Sequence, residues 1–152
     1  MSYISKPLPI VGISKSIVRT HRKGRFLQLI KKRNLFQTIL LKFLQKKHRL
    51  LCSYVGCYVP FSAKICRGLV LPHGFYGVFL SKRSKINFGV TILHQVTIGS
   101  NPLSSSNMAP VIGSYCFIGA GAKVVGNVNV GSQSVIGVNQ VVTAKSTFQL
   151  KM

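Results

Sequence analysis

The chain contains neither aspartate nor glutamate. Average composition would supply roughly 18 acidic residues at this length, taking half of the ~25% charged residues as acidic. No mechanism built from this chain can use a side-chain carboxylate as base, nucleophile or metal ligand. Against that absence stand 21 Lys and Arg residues, for a formal net charge of +21. Such a chain adsorbs to polyanions through counterion release, which is a property of charge and not evidence of function. No nucleic-acid motif or aromatic stacking pattern accompanies the charge, so no specific nucleic-acid partner is expected. Cysteine is sparse: Cys52, Cys57, Cys66 and Cys116 form no C-x-x-C pair. They read as reduced thiols of a cytoplasmic protein, and no metal is expected. No apolar run reaches the ~18 residues of a transmembrane helix. The N-terminus lacks the continuous apolar stretch of a secretory signal. What remains, 152 residues of which 47% are hydrophobic, suffices for one core, with or without an appendage.

The organising pattern lies between Val111 and Val142. Ile112, Ile118, Val124, Val130, Ile136 and Val142 recur every six positions. Two residues before each of the last five comes Cys116, Ala122, Val128, Ser134 or Gln140, mostly small, and Gly113, Gly119, Gly131 and Gly137 follow the aliphatic positions. A period of six is neither helical nor the alternation of a lone strand. It marks a hexapeptide β-helix, in which each unit is a short flat strand and a corner. Upstream, Leu80, Ile86, Ile92 and Ile98 continue the period, and Val59, Ile65 and Leu71 form an earlier set. Three extra residues fall around Pro72–Gly77. The interval from Ile98 to Ile112 reads as two units plus two extra residues, with residues 99–110 leaving the surface as a loop. Extra residues in a solenoid gather on one face, often the binding face.

The rest is organised differently. Residues 1–13 read as an extended arm. Residues 14–53 form a basic amphipathic helical segment, with Phe26, Leu27, Ile30, Leu35, Phe36, Ile39, Leu40, Phe43, Leu44 and Leu51 as one broad apolar stripe. Gly24 and Asn34 are the candidate breaks. The segment is expected to cap the open end of the solenoid or pack on a neighbouring subunit, with docking on an anionic membrane surface as the alternative. Residues 54–152 are the repeat region.

The segments AKICRGLVLPHGFYGV, ILHQVTIGS and APVIGSYCFIGAGAKVVGNVNVGSQSVIG together resemble the serine acetyltransferase branch of the hexapeptide acyltransferases. The likeness covers about residues 54–144. It implies an all-β solenoid, a left-handed parallel β-helix with a short N-terminal helical segment. It also implies a homotrimer with sites between neighbouring prisms, and transfer of acetyl from acetyl-CoA to a hydroxyl. The family's catalytic histidine maps onto His73, and its partnering acid onto Tyr58. The arginine and histidine that serine-specific members carry before the loop proline map onto Met108 and Ala109. With the shortened N-terminal part, these departures resemble shorter relatives that acetylate sugars of surface polysaccharides. A small-molecule or sugar acceptor is therefore expected, with serine as the alternative. A catalytically inactive trimeric scaffold and a polyanion-binding protein are the other readings.

Oxygen attack on a thioester needs a base, and histidine titrates near working pH. His73 lies in the three-residue insertion, two residues after Leu71, and His94 lies two after Ile92. Their separation of 21 is one eighteen-residue turn plus the three extra, so the two should share a corner on adjacent coils. His21 and His48 are expected to be solvated. Resemblance offers Gly99, Ser100, Ala120, Gly121 and Val138 for the pantetheine slot. By charge, Lys123 and Lys145 are candidates for the CoA phosphates, with a solvated surface charge as the alternative for each.

Overall fold

A computed structural model describes residues 9–101 and 108–143. Among the described residues, two helices precede eleven short strands. Helix α1 spans Pro9–Leu29 and α2 spans Leu35–Tyr54. The strands are β1 (Lys64–Ile65), β2 (Phe79–Leu80), β3 (Lys85–Ile86), β4 (Thr91–Ile92), β5 (Thr97–Gly99), β6 (Val111–Ile112), β7 (Phe117–Ile118), β8 (Lys123–Val125), β9 (Asn129–Val130), β10 (Val135–Ile136) and β11 (Val141–Thr143). All pairings are parallel, in three sheets ordered β1-β3-β6-β9, β4-β7-β10 and β2-β5-β8-β11. Each turn of chain visits the three sheets in succession, which makes a three-sided β-helix. One residue of each strand points inward: Ile86, Ile92, Ile98, Ile112, Ile118 and Val124 are fully buried. The positions two residues earlier are buried with them: Ser84, Val90, Val96, Pro110, Cys116 and Ala122. Because the inward residues stack directly on one another, burial of each contributes about 1.5–3 kcal/mol.

Strand register corrects the count of extra residues. Phe117 pairs with Val135 and Thr97 with Lys123, intervals of 18 and 26. Lys64 pairs with Lys85, an interval of 21 that carries the three-residue insertion. The interval of 26 means that Ile98 to Ile112 is one unit plus eight extra residues, not two units plus two. Ile112 must stack on Ile86 to keep the column of inward side chains, and the eight residues are excluded between β5 and β6.

The helices cover the first coil. Ile17 of α1 and Cys52 of α2 join Val55, Val59, Phe75 and Val78 in the solenoid core. Helix α1 starts at Pro9, so residues 9–13 are helical and not an extended arm; proline suits a first turn, where its missing N–H has no helical partner. Gly24 breaks nothing. A Cβ there would overlap the Phe61 ring, so glycine lets α1 close on the first coil. The break comes at residues 30–34, where Arg33 donates to the carbonyls of Leu27, Gln28 and Ile30 at 3.1, 3.3 and 3.1 Å. Asn34 then caps α2: its side chain accepts from Gln37 N–H at 2.8 Å while Gln37 accepts from Asn34 N–H at 3.2 Å.

His21 and His48 are buried, contrary to their expected solvation. Both lie on the helix faces that meet the first coil. His21 Nε2 donates to the Pro60 carbonyl at 3.1 Å, and His48 Nε2 to the Val59 carbonyl at 2.6 Å. Burial, then the charge of His48, pushes His21 from 6.5 down to about 4. Burial works against a charged His48 too, but the Cys52 side chain and the Val59 carbonyl outweigh it and hold His48 above its usual value. A bond from the Cys57 thiol, helped by His48 at 3.5 Å, lowers Cys52 to about 5 against its burial. Cys57, donating to Cys52, is raised.

Candidate active site

The insertion after Leu71 folds as a tight turn. Gly74 N–H donates to Leu71 O at 3.1 Å and Val78 N–H to Phe75 O at 3.0 Å. Gly74 and Gly77 have φ of +68° and +63°, a left-handed backbone that costs glycine little. Phe75 is fully buried and wedges the turn into the core, while its N–H donates to Ser14 Oγ of α1 at 2.9 Å. The turn is thus anchored from below, and His73 is left exposed at its crest.

His94 occupies the equivalent corner of the next coil, between β4 and β5. Gln95 N–H donates to Tyr76 O at 2.8 Å, which ties the two corners together. The stacking brings His73 Nδ1 within 2.9 Å of His94 Nδ1, with ring centroids 5.0 Å apart. One of these nitrogens donates and the other accepts. A base needs the tautomer in which His73 Nδ1–H donates to His94, because it leaves the Nε2 lone pair of His73 free. The partner of His73 is therefore His94. Tyr58, onto which the family's acid maps, lies exposed in register with Phe79 on the sheet face.

The same corner continues down the solenoid. Gly121 N–H donates to His94 O at 3.0 Å, and Asn139 N–H to Ala120 O at 2.8 Å. Ala120, Gly121 and Val138 are thus brought onto the corner that carries His94. A Cβ on Gly119 would lie 2.7 Å from the Gly137 carbonyl carbon and the Val138 nitrogen, so adjacent coils here meet backbone to backbone. The exposed Lys123 reaches back to this corner, its Nζ donating to Gly121 O at 3.0 Å. Gly99 and Ser100 are elsewhere. They sit past the opposite end of β5 from His94, in a cavity of about 420 Å³ shared with Tyr58, Phe79, Lys82 and Arg83. Lys145 lies outside the described residues, and among those residues no cluster of three potential metal ligands occurs.

Two features escaped the sequence. Ser14 holds the His73 turn from a helix some sixty residues earlier. Lys15, Arg19, Arg22 and Lys23 line a cavity of about 600 Å³ with Leu69 and Leu71, directly before that turn. The helical spacing of these four cations was visible in the sequence, but not what α1 would face.

A parallel β-helix with paired histidines on an insertion-bearing corner, and glycine-tightened coils beneath them, has the architecture of the hexapeptide-repeat acyltransferases. By sequence and by superposition the chain is similar to the serine acetyltransferases. It is 42% identical over 87 residues to serine acetyltransferase of Helicobacter pylori strain 26695, covering 57% of this chain and 50% of that protein. It is 40% identical over 81 residues to the Escherichia coli K12 enzyme, covering 53% and 29%. The chain spans half or less of the length of these relatives. Among solved structures, Neisseria gonorrhoeae serine acetyltransferase superposes with a TM-score of 0.69 at 27% identity, covering 86% of this chain and 48% of that one. Brucella abortus serine acetyltransferase in complex with coenzyme A gives 0.68 at 27%, covering 86% and 50%. No model of a known protein family matches the chain. Superposition preserves hand, so the solenoid is a left-handed parallel β-helix.

Proposed function

We propose that the chain is an acetyl-CoA-dependent O-acetyltransferase with His73 as general base. The observation that carries this reading is the His73–His94 pair on the one corner that also bears Ala120, Gly121 and Val138. His73 Nε2 takes the acceptor's hydroxyl proton as the oxygen attacks the thioester carbonyl. The proton then passes to the departing thiolate of CoA. Backbone N–H groups at the coil corners supply donors for the tetrahedral oxyanion. Acetyl-CoA as co-substrate is supported by relatives crystallised with CoA. Lys123 beside Gly121, and the cavity of Lys15, Arg19, Arg22 and Lys23, offer cations for its phosphates.

The relatives named above are serine acetyltransferases, which favours serine as acceptor over the sugar expected from the sequence. The sugar reading keeps one specific support, Met108 and Ala109 where serine-specific members carry arginine and histidine. A homotrimer with sites between prisms accounts for exposed apolar residues on one sheet face and corner, among them Phe79, Val138 and Val141. Sedimentation velocity at micromolar concentration tests it, and a monomer would remove the intersubunit site.

The deciding experiment follows CoA release with serine and with a panel of sugars. His73→Ala should lower the rate by roughly 10²–10⁴, the loss expected for a missing general base, while acetyl-CoA still binds. Unchanged turnover in the variant would make His73 structural, and binding of acetyl-CoA without any transfer would favour the scaffold.

A further inference from the structure

Helix α2 carries two apolar stripes where the sequence suggested one. Leu41, Leu44, His48 and Cys52 are buried against α1 and the first coil. Phe36, Ile39, Phe43, Leu50 and Tyr54 are spaced three, four, seven and four, which at 3.6 residues per turn places them on the opposite side of the helix. Each is between 57% and 75% exposed. Packing α2 on the protein uses only the first stripe. The second is flanked by the exposed Lys42, Lys46, Lys47 and Arg49, and Lys31, Lys32 and Arg33 crowd the turn before it. Phe26 and Leu29, at the end of α1, are 68% and 67% exposed beside that turn.

Charge decides what such a face accepts. A second copy of the chain would set lysine against lysine, and with no Asp or Glu in the sequence it offers no side-chain carboxylate to neutralise them. An anionic lipid surface supplies the missing charge as phosphate headgroups, and acyl chains beneath them for the aromatic and aliphatic side chains. Lysine stems lie along the apolar boundary while their ammonium groups stay at headgroup level. Among the described residues no helix is long and apolar enough to cross a membrane, so the contact is peripheral. We propose that the helical pair docks on an anionic bilayer, α2 lying in the headgroup plane with the Phe36–Tyr54 stripe turned toward the acyl chains.

The test uses the full chain and vesicles of phosphatidylcholine, with and without phosphatidylglycerol, at physiological salt. Partitioning should be at least tenfold tighter on the anionic vesicles and weaken as salt rises. Phe36→Ser/Ile39→Ser/Phe43→Ser should lower partitioning at least tenfold with helical circular dichroism unchanged. The chain has no tryptophan, so Phe43→Trp supplies a single reporter. Its emission should move to the blue on anionic vesicles and be quenched by brominated acyl chains. An unshifted, unquenched reporter overturns the proposal whether or not the triple variant folds. Wild-type partitioning by a folded triple variant would mean adhesion by charge alone, and equal binding to neutral vesicles would remove the electrostatic argument. A wild-type assembly that the triple variant splits in sedimentation would make the stripe a subunit contact. Each of these outcomes overturns docking.

Discussion

At the scale of single residues, the His73–His94 pair replaces a carboxylate with a neutral acceptor. Imidazole fixes the tautomer of His73 but stabilises its developing positive charge less than an anion does. In the proposed reaction His94 is a positioning residue that acts through His73. His94→Ala should lower turnover, His94→Gln should restore part of it through an amide oxygen at Nδ1, and His94→Asp should move the acidic limb of the pH–rate profile, where the base loses its proton, to higher pH. Identical pH profiles across the three variants would show that His94 merely fills the corner. His21 gives a prediction of a different kind. Its folded value, about 4, lies below the 6.5 of the unfolded chain. Between those values the unfolded state holds the extra proton, so stability falls as pH drops from 6.5 towards 4 and levels off outside that window. The gap is worth ~3 kcal/mol at about 1.36 kcal/mol per pH unit. His48 is shifted the other way, and its contribution is present below 6.5 and lost as pH rises through its folded value. Comparing thermal unfolding of wild type and His21→Gln across this range isolates the first effect. Parallel curves would contradict the burial of a neutral His21.

At the scale of elements, the period of six located the strands and the inward column from Ile86 to Val124, because that column repeats in sequence as it does in space. The 21-residue separation of the histidines predicted a shared corner for the same reason. Insertions were harder to count. Fourteen residues from Ile98 to Ile112 divide almost evenly by six, and only pairing of Ile86 with Ile112 shows that a single unit lies between them. The helices were least legible. An apolar stripe tells how much surface a helix can bury, not how many partners it has. One stripe in the sequence therefore became one face on the coil and another outside, and the buried histidines were mistaken for surface. Asn34 was legible as a break, and its reciprocal bonds with Gln37 give it a measurable role. Asn34→Ala should cost about 1 kcal/mol in denaturant unfolding, the usual loss for a missing cap. No change in the midpoint would mean that tertiary packing alone sets the start of α2.

At the scale of the whole molecule, the chain carries 21 cations and no side-chain carboxylate. Self-repulsion then opposes folding everywhere, and ions in solution are its main relief. Melting temperature should rise as chloride is increased from low to physiological ionic strength, where the screening length shortens to about 8 Å. A falling melting temperature would show that the repulsion is already dissipated by spacing.

The bond between Ser14 Oγ and Phe75 N–H has a consequence for how the protein can be divided. By repeat pattern, the chain splits near residue 54 into a helical part and a solenoid part. By chemistry it does not, because the turn that presents His73 rests on α1. The two parts are not interchangeable modules. A graft of the coils onto another leader would inherit the scaffold without the support of the His73 turn, and the helices and that turn must change together.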